Sequence, residues 1–293
     1  MNYVFSHFGK EPNHLKTFFN CILSTDTEAQ IFFISDYKFK SKKITTLNLK
    51  NYSELENKFE DIKVLTHSTS IDNNPLWATS FFRLYAIQKI VDHFNLENFV
   101  HFDTDIIIYE PFNELNNNGL FSNNAINITF HDKKNLVFGY SYFPHRKLLG
   151  SLIKEFEDII SNYKYYQNRF TSDGNGFVSE MKILSIISKE SPDLFYFLES
   201  LPYSKNKYLF DPAGYGQYLD GTHHKRGNYL LKRRWVGLHT EVGREIKSKR
   251  IQVKFKNSKP LVVHKKNEFK LASLHVHSKR LHKFLPINYS SIV

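Results

Sequence analysis

The chain has 293 residues, of which 41% are hydrophobic and 24% charged, with a net charge of +11. That balance excludes a disordered chain and allows one large α/β domain or two small ones around a sizeable core. Its single cysteine, Cys21, excludes an intramolecular disulfide and a cysteine-rich metal cluster, and no apolar run nears the roughly 20 residues of a membrane span. The opening MNYVFSHFGK has no basic stretch leading into an apolar core, so no secretory signal is read and a cytoplasmic location is expected. The basic excess is concentrated: residues 221–283 hold 18 Lys or Arg against 3 Asp or Glu. Such a block suits nucleotide phosphates, an anionic membrane face or a nucleic acid, and also an ordinary solvated surface.

Asn2–Ser6 reads as a first strand, His14–Leu23 as a helix and Gln30–Asp36 as a second strand. Asp61–Leu65 reads as a short third strand. Apolar groups at i, i+3, i+4 and i+7 predict a long amphipathic helix over 76–94. The apolar run from Asn98 to Tyr109 reads as the next strand. This alternation predicts a mostly parallel sheet with helices on both faces, whose ligands bind beyond the carboxyl ends of the strands. Asp36 and the pair Asp103 and Asp105 fall at such ends.

Leu148–Tyr163 and Ser179–Lys189 read as helices, the second after the turn Asp173-Gly174-Asn175-Gly176. Residues 207–228 read as a Gly-rich loop. Residues 250–278 read as short strands with turns at Asn257-Ser258 and Lys266-Asn267, and Ala272–His277 as the last strand. No Pro/Gly/Ser linker and no internal repeat marks a boundary, which predicts a single domain over 1–293.

Asp103-Thr104-Asp105 interrupts a run of Phe, Val and Ile. On a strand, residues i and i+2 share a face, so the two carboxylates are expected to point the same way. Like charges so close need a positive partner, and a Mg²⁺- or Mn²⁺-type cation carrying diphosphate oxygens is the natural one. His275 and His277 share a strand face, so either could supply an imidazole to the same ion. His277 and Lys279 would likewise share a face, letting both address one diphosphate.

These features resemble the GT-A class of nucleotide-sugar glycosyltransferases. The likeness lies in their order: a strand–helix–strand start, then Trp77, Phe82 and Arg83 on a helix just before Phe102-Asp103-Thr104-Asp105. A Gly-bearing turn with Glu180 follows, and the late His277-Ser278-Lys279 closes the series. The chain looks most like bacterial enzymes that build surface polysaccharide or lipopolysaccharide, and Leu209–Gly221 is similar to a loop seen in some of them. The resemblance implies a GT-A fold, with a Rossmann-like nucleotide-binding half at 1–110 and an acceptor-side half with a smaller mixed C-terminal region at 111–293. It implies a Mn²⁺- or Mg²⁺-dependent transfer of sugar from a nucleotide-diphosphate sugar, a UDP-sugar above all, to a glycan or lipid-linked acceptor. Asp103 and Asp105 would bind the metal, Asp103 alternatively the ribose, and His277 would complete the shell. Lys279 would reach a diphosphate oxygen. Asp36 would meet the base or ribose, unless it caps a turn. Arg83 would reach the diphosphate or hold Asp103. Glu180 is the candidate catalytic carboxylate, with Asp211 and Asp220 as rivals, and the sequence leaves retention and inversion open.

Two other classes fit the sequence less well. A nucleotidyltransferase would carry a Gly-rich phosphate loop after the first strand, where this chain has Ser6-His7-Phe8-Gly9-Lys10. A nucleic-acid-binding protein would use the basic block, but no nucleic-acid module is recognisable, so no nucleic-acid partner is expected. The basic block is expected instead to give peripheral contact with the inner face of the cell membrane.

Overall fold

Tyr3 and Phe5 point into one apolar core while Val4, between them, points into another. The next strand does the same: Ile31 and Phe33 serve the first core, Phe32 and Ile34 the second. A strand covered on both faces reads as an unbroken apolar run, which is why these segments lack polar alternation. The computed structural model describes residues 1–69, 75–132, 135–162, 164–166, 179–219 and 240–293. In it β1 (Asn2–His7), β2 (Gln30–Ser35), β3 (Ile44–Asn48) and β4 (Phe99–His101) run parallel, in the order β3-β2-β1-β4. The sheet continues through β7 (Asn135–Phe143), antiparallel to both β4 and β6 (Ile126–Asp132). It ends at β8 (Phe195–Leu198), parallel to β6. The protein is thus mixed α/β, with a mostly parallel central sheet and flanking helices.

The helices α1 (Leu15–Thr25), α2 (Ser53–Thr69), α3 (Pro75–His93) and α5 (Arg146–Ser161) appear where apolar groups recur at helical spacing. The expected third strand at 61–65 is corrected: it lies inside α2. Leu55, Phe59 and Ile62, at i, i+4 and i+7, lay one apolar stripe on the second core, and that period outweighs the short run Ile62-Lys63-Val64-Leu65. The third strand is instead the β-branched Ile44–Asn48. Two shorter helices, α4 (Phe112–Asn117) and α6 (Glu180–Glu190), follow the aspartate pair. No helix among the described residues is long and apolar enough to cross a membrane.

A second sheet of order β10-β11-β12-β5 joins β5 (Ile106–Ile108) to three late strands, β10 (Ile251–Lys256), β11 (Lys259–His264) and β12 (Asn267–His275). A short strand, β9 (Tyr208–Phe210), pairs with β12 in parallel, inside the stretch expected as a loop. Asn257 and Ser258 both have positive φ, 52° and 56°, which gives the expected hairpin turn its primed form. The next turn is Lys265-Lys266, one residue earlier than expected. β12 ends at His275, so His277 and Lys279 lie beyond it. The expectation that those two share a strand face is therefore corrected; Lys279 instead has φ 59° in a turn closed by its N–H to Val276 O.

Two glycines test this packing in opposite directions. A Cβ on Gly216 would stand 1.9 Å from the backbone oxygen of His275. Gly216→Ala should therefore destabilise by about 2 kcal/mol or more, because backbone must move. Gly150, inside α5, has nothing within 4 Å of an added Cβ. Gly150→Ala should stabilise by about 0.5–1 kcal/mol. Urea denaturation of both variants measures the pair.

Candidate metal centre and donor site

The aspartate pair lies where the chain leaves the first sheet for the second. Phe102 is buried after β4, a turn closes with Ile106 N–H donating to Asp103 O at 3.0 Å, and β5 begins. Asp103 and Asp105 are thus turn residues between two strands, not neighbours on one strand face as expected. What brings them together is tertiary: β5 pairs antiparallel with the end of β12, Ile106 facing His275. Asp105 Oδ1 lies 3.1 Å from His275 Nε2, and Asp105 O accepts from Val276 N–H at 2.8 Å.

One ligand atom each from Asp103, Asp105 and His275 lies within 4.8 Å of the others. Two hard carboxylate oxygens and one imidazole nitrogen form a donor set that suits Mn²⁺ or Mg²⁺. The buried Nδ1 of His275 has no hydrogen-bond partner among the described residues. His277 stacks on His275, with ring centroids 4.1 Å apart and planes 13° apart, and its Nε2 lies 3.1 Å from Ala213 O. The imidazole that faces the aspartates is therefore that of His275. Burial would raise the Asp105 carboxyl, but His275 outweighs it and holds Asp105 well below the usual carboxylate range. Burial would lower His275, but Asp105 lifts it to about 9. Without a cation the two groups are a charged pair.

Behind Asp103 stands Arg83, from the middle of α3. One guanidinium nitrogen donates to Asp103, and the other donates to both oxygens of Glu180, at 2.8 and 2.6 Å. Glu180 is 4% exposed and opens α6, whose N-cap Ser179 accepts from Lys182 N–H. Burial lifts the Glu180 carboxyl to about 7 against the opposing pull of Arg83. Burial disfavours the charge on Arg83, yet Glu180 and Asp103 hold its pKa above the ordinary guanidinium value.

Asp211 is completely buried and accepts from four backbone N–H groups. Oδ1 takes Gly214 and Tyr215 at 2.6 and 2.8 Å; Oδ2 takes Gly216 and His275 at 3.0 and 2.9 Å. It ties the 213–217 turn to the residue facing Asp105. Asp36, just past β2, accepts from Gly9 N–H with both oxygens, at 2.9 and 3.0 Å, and so pins the loop after β1.

That loop runs between two residues the sequence reading passed over, His7 at the end of β1 and His14 just before α1. Burial and then the nearby charge of Lys279 lower both, His14 to about 4. Lys279 also acts on Asp105. Lys279, His7, His14 and the aspartates thus share one region, and the rule that ligands sit beyond strand ends could have drawn attention to the loop. The turn at 173–176, Asp220 and the cluster Lys232, Arg233 and Arg234 lie outside the described residues, as do the side chain of Trp77 and part of the basic block.

No protein-family model matches the chain, and no curated protein sequence does. Among solved structures the chain is similar to mouse xyloside xylosyltransferase 1, at 14% identity and a TM-score of 0.45 over 71% of this chain and 88% of that one. It is similar to the galactosyltransferase LgtC in complex with donor and acceptor sugar analogues, at 10% identity and a TM-score of 0.42, over 80% and 82%. The PaToxG glycosyltransferase matches at 11% and 0.42, over 65% and 69%. These likenesses are distant, and function is read below from the site itself.

Arg83 is expected to hold the site together. Arg83→Met leaves Glu180 and Asp103 without their buried cation and should cost about 3–5 kcal/mol in guanidinium unfolding. Adding Glu180→Gln should restore part of that loss, because the remaining buried group is then neutral.

Proposed function

We propose that this protein is a metal-dependent glycosyltransferase of the GT-A type, moving a sugar from a nucleotide-diphosphate sugar to a glycan or lipid-linked acceptor. The observation that carries this reading is the convergence of Asp103, Asp105 and His275 within 4.8 Å at the joint between the two sheets. Lys279 and the pinned loop after β1 stand in the same region. A Mn²⁺ or Mg²⁺ ion held by these three side chains would supply charge neutralisation for a leaving diphosphate.

The protein's own residues do the rest in this reading. Lys279 offsets the remaining leaving-group charge as a point cation. Arg83 fixes the orientation of Asp103, and Glu180 fixes Arg83. Asp36 holds the 8–14 loop where base or ribose would lie. Asp211 acts as a positioning residue for His275, since its oxygens are taken by four backbone amides. His277 backs the His275 ring by stacking. A UDP-sugar is the expected donor and bacterial surface polysaccharide or lipopolysaccharide the expected product class. A lipid-linked acceptor would be met at an anionic membrane face, where the exposed Lys254 and Lys256 of the β10–β11 hairpin would contribute roughly 1 kcal/mol each.

Titration calorimetry with UDP in the presence of Mn²⁺ and of chelator tests the centre. Wild-type binding should need the metal, and Asp105→Asn should lose the metal-dependent part while staying folded. Equal UDP affinity with and without chelator would sink the proposal. Within the histidine pair, His275→Ala should weaken Mn²⁺ binding more than His277→Ala, because only the former faces Asp105. Lys279→Ala should instead lower turnover of a UDP-sugar while leaving Mn²⁺ affinity near the wild-type value, read by steady-state kinetics beside the calorimetry.

A further inference from the structure

A concavity of about 820 Å³ opens beside the start of β10 and the end of β11, lined by Tyr203, Lys249, Arg250, His264 and Lys265 among others. It is remote from the metal centre. Ile251 pairs with His264, and His264 pairs with Asn267, the first residue of β12. His275, at the other end of β12, is eight residues away, about 27 Å at some 3.4 Å per residue.

Three of the residues lining the concavity, Lys249, Arg250 and Lys265, are cations. Its acidic neighbour, Glu245, accepts from Arg250 at 2.9 Å and from Tyr203. Both lysines occupy backbone positions that glycine fills more easily. Lys249, φ 61°, ends the helix α7 (Glu241–Lys247) in a Schellman turn: its N–H donates to Ile246 O, and the Arg250 N–H to Glu245 O. Lys265, φ 57°, begins the two-residue turn between β11 and β12. The remaining wall is aromatic. Tyr203 is 54% exposed, and its ring meets His264 edge-on at 5.2 Å, while His264 Nδ1 lies 3.1 Å from Pro202 O.

We propose that this concavity is a second saccharide site that takes a phosphate-bearing segment of the acceptor glycan. The two lysines address the phosphate oxygens, and the exposed Tyr203 ring offers an apolar face to a sugar. The proposal rests on the glycosyltransferase reading for its biological sense. At about 27 Å the site cannot touch the reacting sugar. It would hold a long acceptor by a second point and so raise the concentration of its end at the metal centre.

The test is binding without donor or metal, so its outcome is separate from that of the transfer reaction. Calorimetry with mannopentaose 6-phosphate, mannopentaose and inorganic phosphate should show the phosphorylated sugar binding at least about tenfold tighter than either other probe. Lys249→Gly/Lys265→Gly should lose about tenfold or more of that affinity, while its melting temperature holds or rises and its Mn²⁺-dependent UDP binding is unchanged. Tyr203→Ala should weaken the phosphorylated sugar but not inorganic phosphate. The proposal is overturned by phosphate binding as well as the phosphorylated sugar, by an affinity the double variant does not change, or by no saturable binding. It is equally overturned if phosphatidylglycerol vesicles bind through these two lysines and the saccharide does not.

Discussion

Three residue pairs hold the functional region together: Ile106 with His275, Ile107 with Leu274 and Ile108 with Ser273. Through them β5 leaves the sheet that β4 belongs to and becomes the edge of the other. The turn between the two strands is thereby forced open toward the end of β12, and Asp103 and Asp105 have nowhere else to go. Ile106, Ile107, Ile108 and Leu274 are each 1% exposed or less, so the joint is fastened by core packing rather than by the charges it presents. The charges follow from the joint. Asp105 meets His275 because their backbones are neighbours, and Val276 N–H seals the contact.

From that joint a line of buried charge runs in both directions. On one side Asp103 leans on Arg83, which leans on Glu180. On the other, Asp105 leans on His275, whose backbone is held by Asp211. Each member is acceptable only because the next is present, since an isolated charge at this depth costs several kcal/mol. Such a chain contributes little net stability. What it supplies is orientation: three ligand-bearing groups from residues 103, 105 and 275 are held by partners from α3, α6 and the 211–217 turn.

Much of this was legible in the sequence where a pattern is local. The apolar runs of β1 and β2, the period of α3 and the turn at Asn257-Ser258 are statements about neighbours in the chain. So is the placement of two aspartates within an apolar run. The errors came where two local patterns competed or where only tertiary contact decides. Ile62–Leu65 reads as a strand until Leu55 and Phe59 are counted with it. Asp103 and Asp105 look like strand neighbours until the chain is seen to change sheets between them. Choosing His275 over His277 required knowing that β12 stops at residue 275. The role of Asp211 was invisible, because its partners are backbone amides that any residues could supply. His7 and His14 were missed because single histidines at the two ends of a loop carry no periodic signal, and only the folded chain brings them near Lys279.

The pairing of β5 with β12 also governs when the site can come into being. The strands are separated by about 160 residues, a loop whose closure is entropically costly and slow. The parallel strands β1 to β4 can assemble from the first hundred residues of chain as it emerges from the ribosome. During that interval the aspartate turn has no imidazole opposite it and β5 has no sheet to join. The exposed Ile106-Ile107-Ile108 edge is then the segment most open to wrong pairing. Convergence of Asp103, Asp105 and His275 must therefore be a terminal event of folding, arriving only when β12 has been made and docked.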